Sequence, residues 1–484
     1  MFPFSLILSL WRSMVASGES GPPTRDNGRN VKWLDGLRGI ASFLVILTHL
    51  ARAWDYELFS AGPAEGTPRL LQQPVLRIPW QGRIGVTIFA FLTGYVCALK
   101  PLRLSGSGNY NASFSSIAKS AFRRPPRLIL PATIALLFAW TVAQFGAFKV
   151  ATRSDVDWFR AASVKVDPSW LKEISRLFFT ILSTWTIGRN DYDDHQWALR
   201  PLLLASMLVY ILLVATMYVK YHYRLAIYVV MILYFHQDAS PNTGMLFTNS
   251  QSAINIYPAN DGVFPTTETF GQQACYGMML SDIASNHPEN SYISSRPWLR
   301  RAICWVAIAL GLWSASYPEH DVDRCGWSNI LLESSKYMFP PNVNLGKRFT
   351  ALGVDLIILG IFLSPSIKNV LSNSFFLWFG RNSFAVYLTH GTLLKTVLTY
   401  MVYGNITGEP WVVTKNENGE DVLPPWFTRG SPGVFAICIP IWLVIVYTVA
   451  HFWTTYVDSF CARVTQRLES LAFESDNEKT QLPR

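Results

Sequence analysis

The sequence predicts an all-α protein, a polytopic transmembrane helical bundle of about ten helices. Three observations predict it. Half of the 484 residues are apolar and only 15% are charged, where a soluble domain carries about a quarter. The apolar residues come in long blocks: Ala198–Val219 and Gly433–Val457 each approach the roughly 20 residues that cross a hydrocarbon core as helix. Tryptophan (18), tyrosine (20) and phenylalanine (30) are abundant, and such rings collect at membrane interfaces.

The elements follow in order. Phe2–Trp11 is an apolar run without a basic n-region, short for a span and better suited to an interface. Ser17–Asn30 is polar with Gly and Pro, so residues 1–30 read as a mobile tail. Candidate spans are then Trp33–Trp54, Ile84–Leu102, Leu128–Phe148, Ala198–Val219, Leu225–Phe235, Gly262–Ile283, Ala302–Tyr317, Phe349–Leu363, Asn382–Tyr403 and Gly433–Tyr456. The fifth is short and the sixth polar. Leu177–Ile187 is apolar but too short to cross, and reads as interfacial. Residues 31–460 therefore form one transmembrane domain, followed by a cytoplasmic helix and tail over 461–484. Neither an internal repeat nor a large soluble domain is visible.

Basic residues set the orientation. With the N-terminus inside, Lys100, Arg103, Lys119, Arg123 and Arg124 fall on the cytoplasmic side, as do Arg296, Arg300 and Arg301. The acidic connection Gly404–Pro432 falls outside and carries the glycosylation sequon Asn405-Ile-Thr407. Lys149–Arg176 runs against the pattern. The formal net charge of +9 is therefore topological, and nucleic-acid binding is not expected. The six cysteines are scattered, with no CxxC pair and no Cys/His cluster, so no structural metal is expected. A Cys275–Cys325 bridge is the one pairing left open.

The first span carries the chemistry. In Trp33-Leu-Asp35-Gly-Leu-Arg38-Gly-Ile-Ala-Ser42-Phe-Leu-Val-Ile-Leu-Thr-His49-Leu-Ala-Arg52, Arg38 and His49 return to within roughly 20° of each other on a helix. Asp35, Ser42 and Arg52 share the same arc. A polar stripe about 16 Å long thus runs along a membrane helix. Ionisable groups at membrane depth are costly unless they face a partner or water. His49 can exchange protons near neutral pH and suits deprotonation of a hydroxyl. Arg38 suits a phosphate or carboxylate. A purely structural hydrogen-bonded stripe is the competing reading.

The segment Leu34-Asp35-Gly36-Leu37-Arg38-Gly39-Ile40-Ala41, followed by His49, resembles the opening helix of the acyltransferase-3 membrane family. Further matches follow in order. They are Gly85 to Tyr95, the basic Phe122-Arg123-Arg124-Pro-Pro-Arg127-Leu-Ile-Leu-Pro131, Gly277 to Asp282, and Phe379-Gly380-Arg381-Asn382-Ser383-Phe384-Ala-Val-Tyr387-Leu388-Thr389-His390. Together they span about residues 31 to 460, and the style is closest to the branch of filamentous fungi. The resemblance implies an O-acyltransferase that moves an acyl group, in the first place acetyl, from acyl-CoA to the hydroxyl of a small molecule such as a secondary metabolite. His49 would be the base, with Arg38 and Asp35 beside it. Arg123, Arg124 and Arg127 would clamp the CoA phosphates, although three arginines at a helix start also set topology. His390, with Tyr387 and Ser383 at helical spacing, would line the same cavity or serve as a packing histidine. Acyl-CoA is then a co-substrate, no cofactor is tightly bound, and the protein sits as a multi-pass chain in the endoplasmic reticulum or another endomembrane.

One departure stands out. Where that branch carries a glutamate five residues after tryptophan, Trp197 is followed at that spacing by Leu202. Asp193, Asp194 and His195 lie just upstream and offer substitutes. With Asp191 they also form a group of metal-ligand types, although a polar loop before a span looks the same. Two rival functions remain at this level. One is a proton-coupled secondary transporter, for which a buried Asp/Arg/His stripe would also serve. The other is acylation of a carbohydrate or cell-wall glycan.

Overall fold

The computed structural model describes residues 31–237, 268–286, 296–341, 343–404, 414–415, 421–422 and 426–473. The N-terminal tail, Asn405 and the C-terminal tail beyond 473 lie outside them. Helices dominate: α1 (Lys32–Trp54), α2 (Gly82–Gly106), α3 (Tyr110–Gln144), α4 (Asp157–Ala162), α5 (Trp170–Thr186), α6 (Leu199–Thr216), α7 (Tyr221–Gln237), α8 (Glu268–Asn286), α9 (Pro297–Ala315), α10 (Gly326–Met338), α11 (Leu345–Leu363), α12 (Pro365–Leu371), α13 (Ser374–Leu393), α14 (Thr399–Tyr403), α15 (Pro432–Trp453) and α16 (Ser459–Ala472). A short antiparallel pair, β1 (Thr414–Lys415) with β2 (Asp421–Val422), lies between α14 and α15.

Among the described residues, five helical stretches are long and apolar enough to cross a membrane: Lys32–Trp54, Gly82–Gly106, Tyr110–Gln144, Asp194–Thr216 and Pro432–Ala472. A sixth arises if α11 and α12, bent by 100° at Ser364, count as one span. Helices α7, α8, α9 and α13 stand at the four remaining expected positions without meeting that standard, so a count of ten is not confirmed. The reasons are local. Helix α7 has only 17 residues, and α8 carries buried Gln272, Gln273, Ser281 and Asp282.

The chain divides into two compact units. One comprises Met1–Thr48, Glu57–Arg124 and Pro201–Phe384. Its core joins Trp33, Leu37 and Ala41 of α1 to Ile84, Ile88 and Phe91 of α2 and to Val354 and Ile358 of α11. Close backbone approach needs glycine at Gly94, where a Cβ would lie 2.0 Å from the Ala274 carbonyl oxygen. This is the packing role of small residues in membrane bundles. Arg224 of α7 forms a buried bidentate ion pair with Asp282 of α8, at 2.5 and 2.7 Å. Outside the spans, buried Arg77 donates to the carbonyls of Leu58, Phe59 and Ser60 at 3.1–3.2 Å, which pins the loop after α1. Cys275 and Cys325 are both free, so the bridge left open by the sequence is not formed.

The other unit comprises His49–Tyr56, Pro125–Arg200 and Ala385–Arg484. Leu136, Ala139 and Ala143 of α3 pack there with Phe148, Leu177 and Tyr192. Helix α5 exposes Leu171, Phe178, Phe179 and Leu182 while it buries Glu173, Leu177 and Thr180. That pattern fits the interfacial placement read for Leu177–Ile187. Glu173 accepts from Gln144 (3.0 Å), the Asp167 backbone N–H (2.9 Å) and the Tyr192 hydroxyl (2.9 Å), and pairs with Arg176 at 3.1 Å. Asp155 accepts from Tyr403 (2.7 Å) and Arg429 (2.8 Å), while Arg429 also donates to the Trp54 carbonyl at the end of α1 (2.9 Å).

Candidate active site

Within the second unit, three histidines from three segments converge. His49 comes from the last turns of α1, His195 from a 3₁₀ turn (Asp194–Ala198) ahead of α6, and His390 from α13. Ring centroids are 4.0 Å apart for His49–His195, 4.8 Å for His195–His390 and 5.3 Å for His49–His390. Trp158 stacks on His49 at 6.0 Å. His195 and His390 are buried, and His49 is partly so.

Local structure fixes each ring. His390 Nδ1 lies 2.9 Å from the Val386 carbonyl and 3.0 Å from that of Tyr387. A carbonyl only accepts, so Nδ1 carries the hydrogen and Nε2 stays bare. Asp193 Oδ1 lies 2.9 Å from His195 Nδ1, the carboxylate–imidazole contact that fixes a tautomer. The loop behind it is held by Asn190. Its Oδ1 accepts from the backbone N–H groups of Tyr192 and Asp193, and its Nδ2 donates to Thr184 and Gln196. The Tyr387 hydroxyl donates to the His195 carbonyl. Lys395 is fully buried in a π-helical turn (Leu394–Leu398), where it donates to Asp194 and, at 2.8 Å, to the Ala162 carbonyl. Such turns recur at functional sites.

Three imidazole nitrogens are buried without a hydrogen-bond partner among the described residues: His49 Nδ1, His195 Nε2 and His390 Nε2. A buried polar atom left unpaired costs about 1–3 kcal/mol, so three together mark a place that binds something polar or exchanges protons. The three rings can each offer an atom within 4.8 Å of the others, as can Asp193, Asp194 and His195, so both groups have the spacing of a metal site.

The structure brings together His49, His390 and Tyr387 with Asp193 and His195, which the sequence offered as substitutes for the missing glutamate, and adds Lys395 and Trp158. Asp35 and Arg38 pair with each other at 3.1 Å, about 21 and 16 Å of helix rise before His49 respectively. They therefore do not touch it, and among the described residues its ring contacts are His195, His390 and Trp158. Ser383 spends its hydroxyl on the Gly380 carbonyl at 2.8 Å. Arg124 donates to Thr93 Oγ1 at 3.2 Å and stands close enough to Arg38 for mutual repulsion. Arg123 donates to the Lys119 carbonyl, and Arg127 is exposed. Asp193, Asp194 and His195 were visible in the sequence as an acidic loop before a span. Nothing in that pattern separated them from ordinary loop residues.

Residues 31–456 match the acyltransferase-3 family, described as an acyltransferase domain. The chain is 25% identical over 455 residues to the O-acetyltransferase PaAT-1 of Phomopsis amygdali, covering 90% of this chain and 84% of that one. It is 21% identical to acyltransferase R4 of a Phoma species and 20% identical to acyltransferase clz18 of Cochliobolus lunatus. Each alignment covers 75% of this chain and 82% of its relative. No solved structure matches. An O-acyltransferase family domain over nearly the whole length, with apolar helices fit for a bilayer, identifies a membrane enzyme, and the chain belongs to the acyltransferase-3 family.

Proposed function

We propose that the protein transfers an acetyl group from acetyl-CoA to a hydroxyl of a small hydrophobic metabolite, with His49 as general base. The observation that carries this reading is His49 itself, in contact with two further histidines in an O-acyltransferase. His49 takes the hydroxyl proton, and the oxygen attacks the thioester carbonyl. The C–O bond forms as the C–S bond breaks, and the CoA sulfur leaves with the proton that His49 returns. Arg123, Arg124 and Arg127 hold the CoA phosphates, supported by the closeness of Arg38 to Arg124, since clustered guanidiniums suit a polyanion. Asp35 holds Arg38 in place. His390 and Tyr387 line the reaction chamber.

The acetyl group is favoured by PaAT-1, named an O-acetyltransferase. The chain lies as a multi-pass protein in an endomembrane. Its exposed apolar side chains, such as Ile211, Val230, Leu233, Trp305 and Ile437, fit contact with lipid.

The test uses the detergent-purified chain, acetyl-CoA and the metabolite that accumulates when the gene is deleted. Release of free CoA thiol with an acetylated product is expected. His49→Ala should lower the rate by about 100- to 10,000-fold, the usual contribution of a general base. A longer acyl-CoA outperforming acetyl-CoA would reassign the donor.

A further inference from the structure

We infer that Asp193 and His195 are positioning residues for His49, forming with it a two-histidine proton relay. This rests on the acyl-transfer reading above and adds the part that makes His49 a base of fixed tautomer.

The chain of contacts runs inward from the carboxylate. Asp193 Oδ1, 2.9 Å from His195 Nδ1, requires the hydrogen to sit on that nitrogen, which in the neutral imidazole leaves Nε2 bare. That Nε2 is buried and unpartnered among the described residues, as is Nδ1 of His49 on the ring 4.0 Å away. One arrangement satisfies both atoms. His49 carries its hydrogen on Nδ1 and donates it to His195 Nε2; the rings meet edge to face at 86°, so the bond forms when the imidazoles turn toward each other, the tightening that catalytic hydrogen bonds commonly make once substrate is bound. Nε2 of His49 is then the atom left to accept the hydroxyl proton. When it does, the positive charge on His49 is stabilised through His195 by the Asp193 carboxylate. The proton later passes from His49 to the departing sulfur, so the relay ends as it began.

The surroundings preserve this pairing. Asp194 also approaches His195 Nδ1, at 3.2 Å, but its charge is met by Lys395. His390 has its Nδ1 committed to the Val386 carbonyl and does not compete for the carboxylate; its bare Nε2 is the other acceptor near His49, on a ring 5.3 Å away against 4.0 Å for His195. Gly391 leaves the room: a Cβ there would lie 2.3 Å from His195 Nδ1 and 2.9 Å from Asp193 Oδ1. Among the described residues, the other charged or titratable groups facing these side chains are Arg52, Lys395, Asp194, His390 and Tyr387.

The experiment compares full-length wild type, Asp193→Asn, Asp193→Glu, His195→Gln and His49→Ala, with acetyl-CoA and the accumulating acceptor, and with matched elution profiles and melting temperatures as folding controls. Asp193→Asn and His195→Gln should each lower kcat by about 10- to 100-fold, with KM for acetyl-CoA within about threefold. Asp193→Asn should also move the acid limb of the kcat–pH profile about one unit lower, because the imidazolium loses its countercharge. Asp193→Glu should recover part of the rate. If His49→Ala is inactive while Asp193→Asn and His195→Gln keep wild-type kcat and acid limb, the relay is wrong and the acyl-transfer reading stands. If His49→Ala is fully active, that reading fails first. Stoichiometric zinc in the purified protein, lost in His195→Gln together with activity, would instead make the rings metal ligands and overturn the relay. Should Asp193→Asn not fold, His195→Gln reads the same kcat and limb.

Discussion

At the scale of single residues, Gly391 is the sharpest constraint on the site. No side chain fits beside His195 and Asp193, so Gly391→Ala must push the imidazole off its carboxylate. A displacement of about 1 Å costs on the order of 100-fold in rate. Steady-state kinetics of Gly391→Ala should show a fall of that order in kcat, and wild-type kcat would mean that the His195–Asp193 contact is idle. Two carboxyls outside the spans contribute to stability in a pH-dependent way. Burial pushes Asp155 up, but hydrogen bonds from Tyr403 and Arg429 outweigh it and hold the carboxyl below its usual range. Burial likewise pushes Glu173 up, and the Asp167 N–H, Gln144, Tyr192 and Arg176 bring it below. Carboxyls with lowered folded values add stability that is present above their unfolded values, about 4, and lost as pH falls through the folded ones. The melting temperature should therefore drop steeply below about pH 4, and Asp155→Asn should flatten that slope. An unchanged slope would remove Asp155 from the account.

At the scale of elements, the buried Arg224–Asp282 pair joins α7 to α8. Removing one partner of such a pair strands a charge and costs about 3–5 kcal/mol, whereas replacing both by apolar residues costs far less. Asp282→Leu alone should thus lower the thermal inactivation temperature more than the double change Arg224→Met with Asp282→Leu. Equal or greater damage in the double variant would contradict this. The elements themselves were largely legible. Helices stand at all ten expected positions because long apolar blocks have few other stable forms in lipid. How many of them cross did not follow, since α8 hides its polar residues by packing and α11 turns sharply into α12 at Pro365. His49 was legible because a histidine on an apolar helix stands out. His195 and Asp193 stood out only as residue types that could replace the missing glutamate or bind a metal, since a loop has no periodicity to reveal which way its side chains point. Lys395 escaped notice because its partner Asp194 lies 201 positions away in the chain. Arg38 and His49 share a face by helical arithmetic, yet their separation along α1 gives them different neighbours.

At the scale of the whole molecule, the enzyme holds polar chemistry inside apolar helices. The proton-coupled transporter reading loses its ground to the acyltransferase domain that runs from residue 31 to 456. The position taken by Leu202 does not leave the site without a carboxylate, since Asp193 supplies one to His195. The most direct test of His49 as the acyl-transfer base is mass-spectrometric profiling of a deletion strain complemented with either wild type or His49→Ala at equal protein abundance. The account predicts that wild type restores an acetylated metabolite, 42 Da heavier than its precursor by the mass of an added acetyl group, and that His49→Ala leaves only the free hydroxyl compound. Normal product from the His49→Ala strain would contradict it.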